Sequence, residues 1–369
     1  MKILIIGAAM LAAAQPASAQ LGKILRGVEK AQQVREELNV SERDERALGE
    51  SVSDRVRQEF GVFQDREVTK YVTLVGTVMT QVSTRPDLKW EFIVLDTDGV
   101  NAFASPGGIV HITRGALGLI KSEAELAGVL AHEIAHITRK HTVNAIRKSK
   151  GFKMASHAVP GSREYIGALA DAAYDNIVES GFDRSDEEDA DREGVRLANK
   201  VAYDPAGLPA FLAKLAERNT GVATRNALFA SHPETEGRIA TLRSQIKSEK
   251  LSATAGVEAR YASTVTFDVK PIAEISGVAA GARGLAEGSG SKSATDGKKP
   301  EETPKKKGFG LGALKLSSGK QAESTQASAS AGNRAVGVDR HAKGGSNPAK
   351  VTITVSPADV DAFRKGIAG

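Results

Sequence analysis

No cysteine occurs in the 369 residues. The chain can therefore form no disulfide, offers no thiol for lipid attachment behind an export signal, and must build any metal site from histidine and carboxylate ligands. Its stability has to come from a packed core. Aromatic residues are scarce as well, at 5% with a single tryptophan. No basic stripe interleaved with aromatics, of the kind that stacks bases, can be found, which argues against nucleic acid as a partner. The charge excess is small, 50 Lys and Arg against 45 Asp and Glu, and much of it falls in the C-terminal third. Such a balance suits solubility or weak peripheral contact with an anionic membrane surface. Beyond the first residues, no apolar run approaches the roughly 20 positions that a spanning helix needs.

What the beginning does contain is MKILIIGAAMLAAAQPASAQ: an early Lys2, an apolar run over Ile3–Ala14, and the small residues Ala17, Ser18 and Ala19 before Gln20. This pattern predicts a secretory signal peptide over residues 1–19, cleaved after Ala19, and so an exported, periplasmic location. Residues 20–47 read as a charge-rich helical segment, with the acidic and basic run Glu36–Glu50 as a solvated face. Glu67–Val82 carries an apolar stripe of Val68, Tyr71, Val72, Val75, Val78, Met79 and Val82 at helical spacing, a core helix. Trp90–Leu95 reads as a strand. Asn101–Ala104 and Gly108–Thr113 read as two extended segments about a Ser105-Pro106-Gly107-Gly108 turn.

Helix starts are signalled by Ser122 with Glu125, by Ser185 with Glu188 ahead of Asp186–Lys200, by Asp204-Pro205, and by Ser231 with Glu234. From about residue 281 to 349, Gly, Ser, Ala, Lys and Thr dominate, and the segment is expected to be disordered. Thr264–Pro271 and Val351–Val355 alternate like strands and are expected to pair, and a short helix capped at Ser356 should run through Ile367. The expected divisions are thus 1–19, 20–47, a main domain over 48–250, an extension over 251–280, a low-complexity linker over 281–349 and a strand-helix element over 350–369.

The chemistry sits in Gly128–Lys140, GVLAHEIAHITRK. A helix turns about 100° per residue, so His132 and His136 lie one turn apart on one face, where two imidazoles reach one metal ion. Glu133 follows the first histidine directly, placed to act as a base on an activated water without being a ligand. Val129, Leu130, Ile134, Ala135 and Ile137 make the helix apolar on more than one side. It should therefore be buried, and run to about His141. Two histidines need a third protein ligand if the metal is to keep an open position. Candidates lie in SDEEDADREG, residues 185–194, where Glu187 and Asp191 are one turn apart. One can bind metal while the other hydrogen-bonds a ligand histidine from behind; an acidic helix start that complements the helix dipole is the plainer alternative.

HEIAHITRKH, followed some fifty residues later by Glu187 and Asp191, then by Ser231-His232-Pro233 with Arg238-Ile239, resembles the zinc metallopeptidases of the HtpX and CAAX-prenyl-protease type. Asn101-Ala102-Phe103-Ala104, Pro106-Gly107-Gly108 and Gly115 match that family's pattern upstream. The resemblance spans about Leu48 to Gln245 and is closest to an exported branch. It implies one zinc ion held by His132, His136 and Glu187, with Glu133 as catalytic base. Asp191 then falls at the carboxylate behind a ligand. His232 falls at the family's histidine beside the site, where it either steadies an oxyanion or fills the open metal position and silences the enzyme. Arg238 offsets negative charge there, and His141 is read as structural or as a group behind a ligand. Glu188 adjoins Glu187, but the spacing to Asp191 favours Glu187. Neither the spanning helices of the membrane members nor the tetratricopeptide array of an exported member has a counterpart in the sequence.

The resulting expectation is an α+β, zincin-like domain, mostly helical with a small sheet, followed by a disordered tail. Its function is expected to be zinc-dependent hydrolysis of peptide bonds in envelope proteins. Asn101, Ala102 and Phe103 are the candidate substrate-binding strand, able to pair with an extended peptide unless that strand lies inside the sheet. A chaperone-like or scaffold protein with a latent site, plugged by Thr142–Phe182, is the alternative; a zinc-stabilised structural domain is a weaker third. Partners are expected to be proteins or peptides, and the sequence assigns no oligomeric state.

Overall fold

The computed structural model describes residues 40–148, 158–159, 161–218, 235–275 and 342–368. The expected signal peptide, the Ser231 and Glu234 helix start, His157, His232, His341 and most of the low-complexity linker lie outside the described residues.

Three short strands form the sheet, β1 (Glu91–Leu95), β2 (Ala102–Ser105) and β3 (Ile109–Thr113), in the order β1-β3-β2. The turn after β2 makes β2 and β3 antiparallel, with Phe103 opposite His111; β1 runs parallel to β3. Gly107 and Gly108 take φ of 72° and 99° in that turn, which glycine tolerates and other residues resist. Alternation along the strands sends Phe92, Val94, Ala102, Ala104, Val110 and Ile112 to one face and Ile93, Leu95, Phe103 and Ile109 to the other. Both faces are covered, so the sheet is the middle of three layers.

On one side lie α1 (Glu42–Phe60) and α6 (Arg163–Tyr174); the other is packed by α2 (Arg66–Thr80) and, beyond a short α3 (Arg114–Leu119), by α4 (Glu123–Thr138). Helix α4 carries the H-E-x-x-H motif and is buried along almost its whole length. It is flanked by α7 (Arg184–Lys200) and α8 (Gly207–Arg218), and α9 (Thr235–Ser248) packs behind these two. Gly194 lets α7 lie flush on α4: a Cβ there would stand 3.1 Å from the His132 backbone nitrogen. The other α-helices among the described residues are α5 (His141–Lys148), α10 (Glu258–Thr264) and α11 (Pro357–Ala368). Among the described residues no helix is long and apolar enough to cross a membrane. The architecture is the expected one, mostly helical about a small sheet.

Several local expectations are corrected. Helix α4 does not reach His141: it ends at Thr138, Lys140 adopts a left-handed φ of 58°, and His141 opens α5. Ser122 caps α4 as expected, its Oγ accepting from the Glu125 N–H, but Glu125 reaches back to the Lys121 N–H instead of closing the reciprocal box. Helix α7 begins at Arg184 with Asp183 at the cap, so Ser185 lies inside the helix. Helix α1 runs unbroken through residues 47 and 48, where the sequence suggested a division, and its Glu45 is buried within the expected solvated run.

The strands expected at Thr264–Pro271 and Val351–Val355 do not form a ladder. Thr264 ends α10, residues 265–271 and 351–355 have no regular secondary structure, and Phe267, Val269 and Val355 are side chains packed on the core. Residues expected to belong to the linker are already docked on the domain: Ala342 is buried, the Gly345 N–H donates to the Phe60 and Asp96 carbonyls, and the Val62 N–H donates to the Asn347 carbonyl. Ser356 and Asp359 form the reciprocal cap of α11, as expected.

Candidate metal centre

His132 and His136 project from one face of α4 toward Glu187 in the first turn of α7, and all three are buried. Their atoms form a small triangle. The two Nε2 atoms are 3.0 Å apart, His132 Nε2 is 3.5 Å from Glu187 Oε2, and His136 Nε2 is 3.4 Å from Glu187 Oε1. Zinc bonds of about 2.0–2.1 Å at tetrahedral angles place neighbouring ligand atoms about 3.4 Å apart. The triangle therefore has the dimensions of a three-ligand site, with a donor set of two imidazoles and a carboxylate that suits zinc.

Each histidine is held from behind. His132 Nδ1 lies 3.0 Å from Asp191 Oδ1, one turn along α7 from Glu187. His136 Nδ1 lies 2.9 Å from His141 Nδ1. Phe182 stacks on the His136 ring, with centroids 3.9 Å apart and planes 24° from parallel.

Arg238 of α9 closes the back of the site. Its Nε and Nη2 donate to the two oxygens of Asp191 at 2.8 and 2.7 Å, and its Nη1 lies 2.9 Å from Glu187 Oε2. A bidentate guanidinium fixes both the position and the plane of the Asp191 carboxylate. Burial opposes a charged Asp191, but Arg238 and His132 outweigh it and hold the carboxyl well below its usual range. Burial likewise opposes a charged His132, whereas Asp191 and Glu187 raise its imidazole to about 9. Burial also works against the Arg238 charge, which Asp191, Glu187 and Glu133 sustain. Glu133 is itself 1% exposed, directly after His132 on the same helix. Three carboxylates, two imidazoles and one guanidinium are thus gathered out of water, an arrangement whose unequal charges a divalent cation complements.

The structure brings together His132, Glu133, His136, Glu187, Asp191 and Arg238. It buries the side chains of Asn101, Ala102 and Phe103: Asn101 Oδ1 accepts from the Ala102 N–H, and Phe103 stacks on Phe60. Any contact of these residues with a peptide must then be made by their backbone, at the start of β2, the strand at the sheet's edge beside α4. Phe182 stands far from the histidines in sequence and belongs to no motif, and Asp189, 3.5 Å from His141 Nε2, is not distinguished from its acidic neighbours by spacing. Only the helix break at Lys140 lets His141 turn back onto His136.

Residues 67–246 match the model of peptidase family M48. Over 224 residues the chain is 28% identical to the beta-barrel assembly-enhancing protease of Yersinia pestis, covering 57% of this chain and 46% of that protein. It is 30% identical over 171 residues to the mitochondrial metalloendopeptidase OMA1 of Schizosaccharomyces pombe, covering 46% of this chain and 51% of that protein. The metalloprotease LoiP of Escherichia coli (strain K12) is 25% identical over 154 residues, 41% of this chain and 60% of that protein. The chain spans about half the length of the relatives it matches. With two histidines and a glutamate converging inside the matched region, the chain carries a peptidase family M48 domain over residues 67–246.

Proposed function

We propose that the domain is a zinc-dependent endopeptidase acting on misfolded or misassembled proteins of the bacterial envelope. The observation that carries this reading is the triangle of His132, His136 and Glu187 with Glu133 beside it, buried and of tetrahedral dimensions. The envelope assignment rests on the signal-like N-terminal residues and on similarity to a protein named for enhancing beta-barrel assembly.

In this reading His132, His136 and Glu187 bind one zinc ion. Zinc at such a site polarises the scissile carbonyl and lowers the pKa of water toward about 7. Glu133 takes the proton of the attacking water on its carboxylate and returns it to the leaving amine nitrogen. Asp191 fixes the His132 ring through Nδ1, and Arg238 fixes Asp191 and Glu187 together. The backbone at Asn101, which precedes β2, and at Ala102 and Phe103 within it receives the substrate as an added strand. To His232 we assign, on the family resemblance alone, either the steadying of an oxyanion or the filling of the open metal position. Its replacement by phenylalanine lowers turnover in the first case and raises it in the second.

The test is metal content by mass spectrometry together with casein cleavage, on the mature protein and on Glu133→Gln. One zinc in each, with cleavage reduced at least about 10²–10⁴-fold in the variant, is the expected outcome. Cleavage retained by Glu133→Gln would overturn the assigned base, and no zinc in either would overturn the whole reading.

A second reading, a latent enzyme, is favoured by two contacts. Phe182 covers one face of His136, and Thr142 Oγ1 lies 3.4 Å from the Ala104 carbonyl on β2. Thr142 and Phe182 thus stand where a substrate strand would enter. Under latency, Phe182→Ala increases casein cleavage; under the open reading it leaves cleavage unchanged or lowers it.

A further inference from the structure

We propose that His141 is a positioning residue for zinc binding, acting as the hydrogen-bond acceptor that locks the tautomer and plane of the ligand His136. The inference rests on the zinc-site reading above and extends it to a residue outside the ligand set.

Proton accounting leads to it. His136 directs Nε2 toward His132 Nε2 and Glu187, so this nitrogen must present its lone pair to the metal and the ring proton must reside on Nδ1. That Nδ1 is 2.9 Å from His141 Nδ1. Two ring nitrogens at this distance need one donor and one acceptor. His141 Nδ1 is therefore the acceptor, and its own proton sits on Nε2. On that side lie the carboxylates of Asp189, at 3.5 Å, and Asp186, at 3.9 Å, which favour the N–H there. The chain of groups runs from metal ligand to imidazole to carboxylate, and each member fixes the proton position of the one before.

The backbone is shaped for this contact. In an unbroken helix His141 would stand five residues, or about 140°, around from His136 and would face away from it. The break after Thr138 and the left-handed Lys140 return the chain, so that His141, the first residue of α5, meets His136 edge to face at 78°. His132 has its equivalent partner in Asp191. The two ligand rings are thus oriented by different chemistries, a charged carboxylate for one and a neutral imidazole for the other. Loss of such a group typically weakens metal binding about 10–100-fold.

The decisive experiment exploits side-chain geometry. Asparagine can place its Oδ1 where the His141 Nδ1 stands, whereas glutamine reaches the Nε2 position instead. Zinc affinity is measured by competition with a chromophoric chelator for the wild type, His141→Asn, His141→Gln and His141→Ala, alongside urea unfolding of each metal-free protein. The expected pattern is affinity within a few-fold of wild type for His141→Asn and a loss of about 10–100-fold for His141→Gln and His141→Ala, with similar metal-free stability for the Asn and Gln variants. Equal affinity in the Asn and Gln variants, or affinity that only follows metal-free stability, overturns the positioning role. A wild type that takes up no zinc overturns the metal reading itself. A wild type that binds zinc no better than His141→Ala overturns only this inference.

Discussion

His111 lies in the middle strand of the sheet with no exposure to solvent, its Nε2 2.9 Å from Ser53 Oγ of α1. Burial, with the positive charges of Arg57 and Lys350, lowers its pKa to about 3. An unfolded histidine titrates near about 6.5, so below that value the unfolded chain binds a proton that the folded chain refuses. The stability due to a neutral His111 is complete above about pH 6.5 and is lost progressively as pH falls toward 3. The slope is up to about 1.4 kcal/mol per pH unit, or roughly 2 kcal/mol between pH 7 and pH 5. Urea unfolding at these two pH values, on wild type and His111→Gln, checks it. The variant should lose that dependence whatever its absolute stability, and an unchanged dependence would show that another group is responsible.

The junction of α1, the β2–β3 turn and the end of α4 is tied by Glu45. Its two oxygens lie 2.8 and 3.0 Å from the Arg85 guanidinium, Oε1 also accepts from the Gly107 N–H, and Lys140 stands 3.4 Å away. Arg85 in turn donates to the Ile137 carbonyl in the last turn of α4. Replacing Arg85 with methionine strands a buried carboxylate with one partly exposed lysine, and about 3–5 kcal/mol of stability should go with it. Glu45→Gln with Arg85→Met together should recover part of that loss in chemical denaturation; a double variant as unstable as the sum would mean the two do not act as a pair.

None of this junction was legible in the sequence, because Glu45 sits in a charge-rich run whose neighbours are solvated, and nothing local tells which member turns inward. The sheet, by contrast, could be read from alternation and from Pro106-Gly107-Gly108, and α4 from Ser122 and its apolar periodicity. Its end could not, since a left-handed lysine carries no compositional mark. The alternation in Val351–Val355 misled for the opposite reason: period-two patterning fits any extended chain lying on a half-buried surface, with or without a strand partner. At the centre, His132, His136 and Glu133 follow from helical spacing alone. Arg238 was singled out through family resemblance, and its grip on both Asp191 and Glu187 needed the fold.

The C-terminal segment shows how the parts of the molecule depend on one another. After residues 276–341, Ala342 is buried, Gly344 and Gly345 fit against the Phe60 and Asp96 region, and Lys350 binds Glu50 and Glu91 at 2.8 and 2.9 Å. Helix α11 then buries Val360 and Ile367 on the core shared with α2, and Phe363 lies under the Arg260 guanidinium, 4.1 Å from its centre. Arg260 also binds Glu123, the buried residue in the first turn of α4 that accepts from Tyr71 and Tyr203 at 2.6 and 2.5 Å. The last helix thus presses on the arginine that pins the start of the metal-bearing helix. Removing residues 342–369 should cost on the order of 3 kcal/mol or more, since at least two large apolar side chains and the ion pairs of Lys350 go with them. Lys350→Met should cost less, and its effect should fade in acid. Burial opposes the charged Glu91, but Lys350 and Arg46 hold its pKa down at about 2, so its contribution is present above about 4.5 and is lost as pH falls through 2. If the segment is part of one cooperative unit, truncation lowers the urea midpoint of the whole domain and the loss is felt at Glu123. If it is a separate appendage, the midpoint holds and only the dependence on urea shrinks, in proportion to the surface removed.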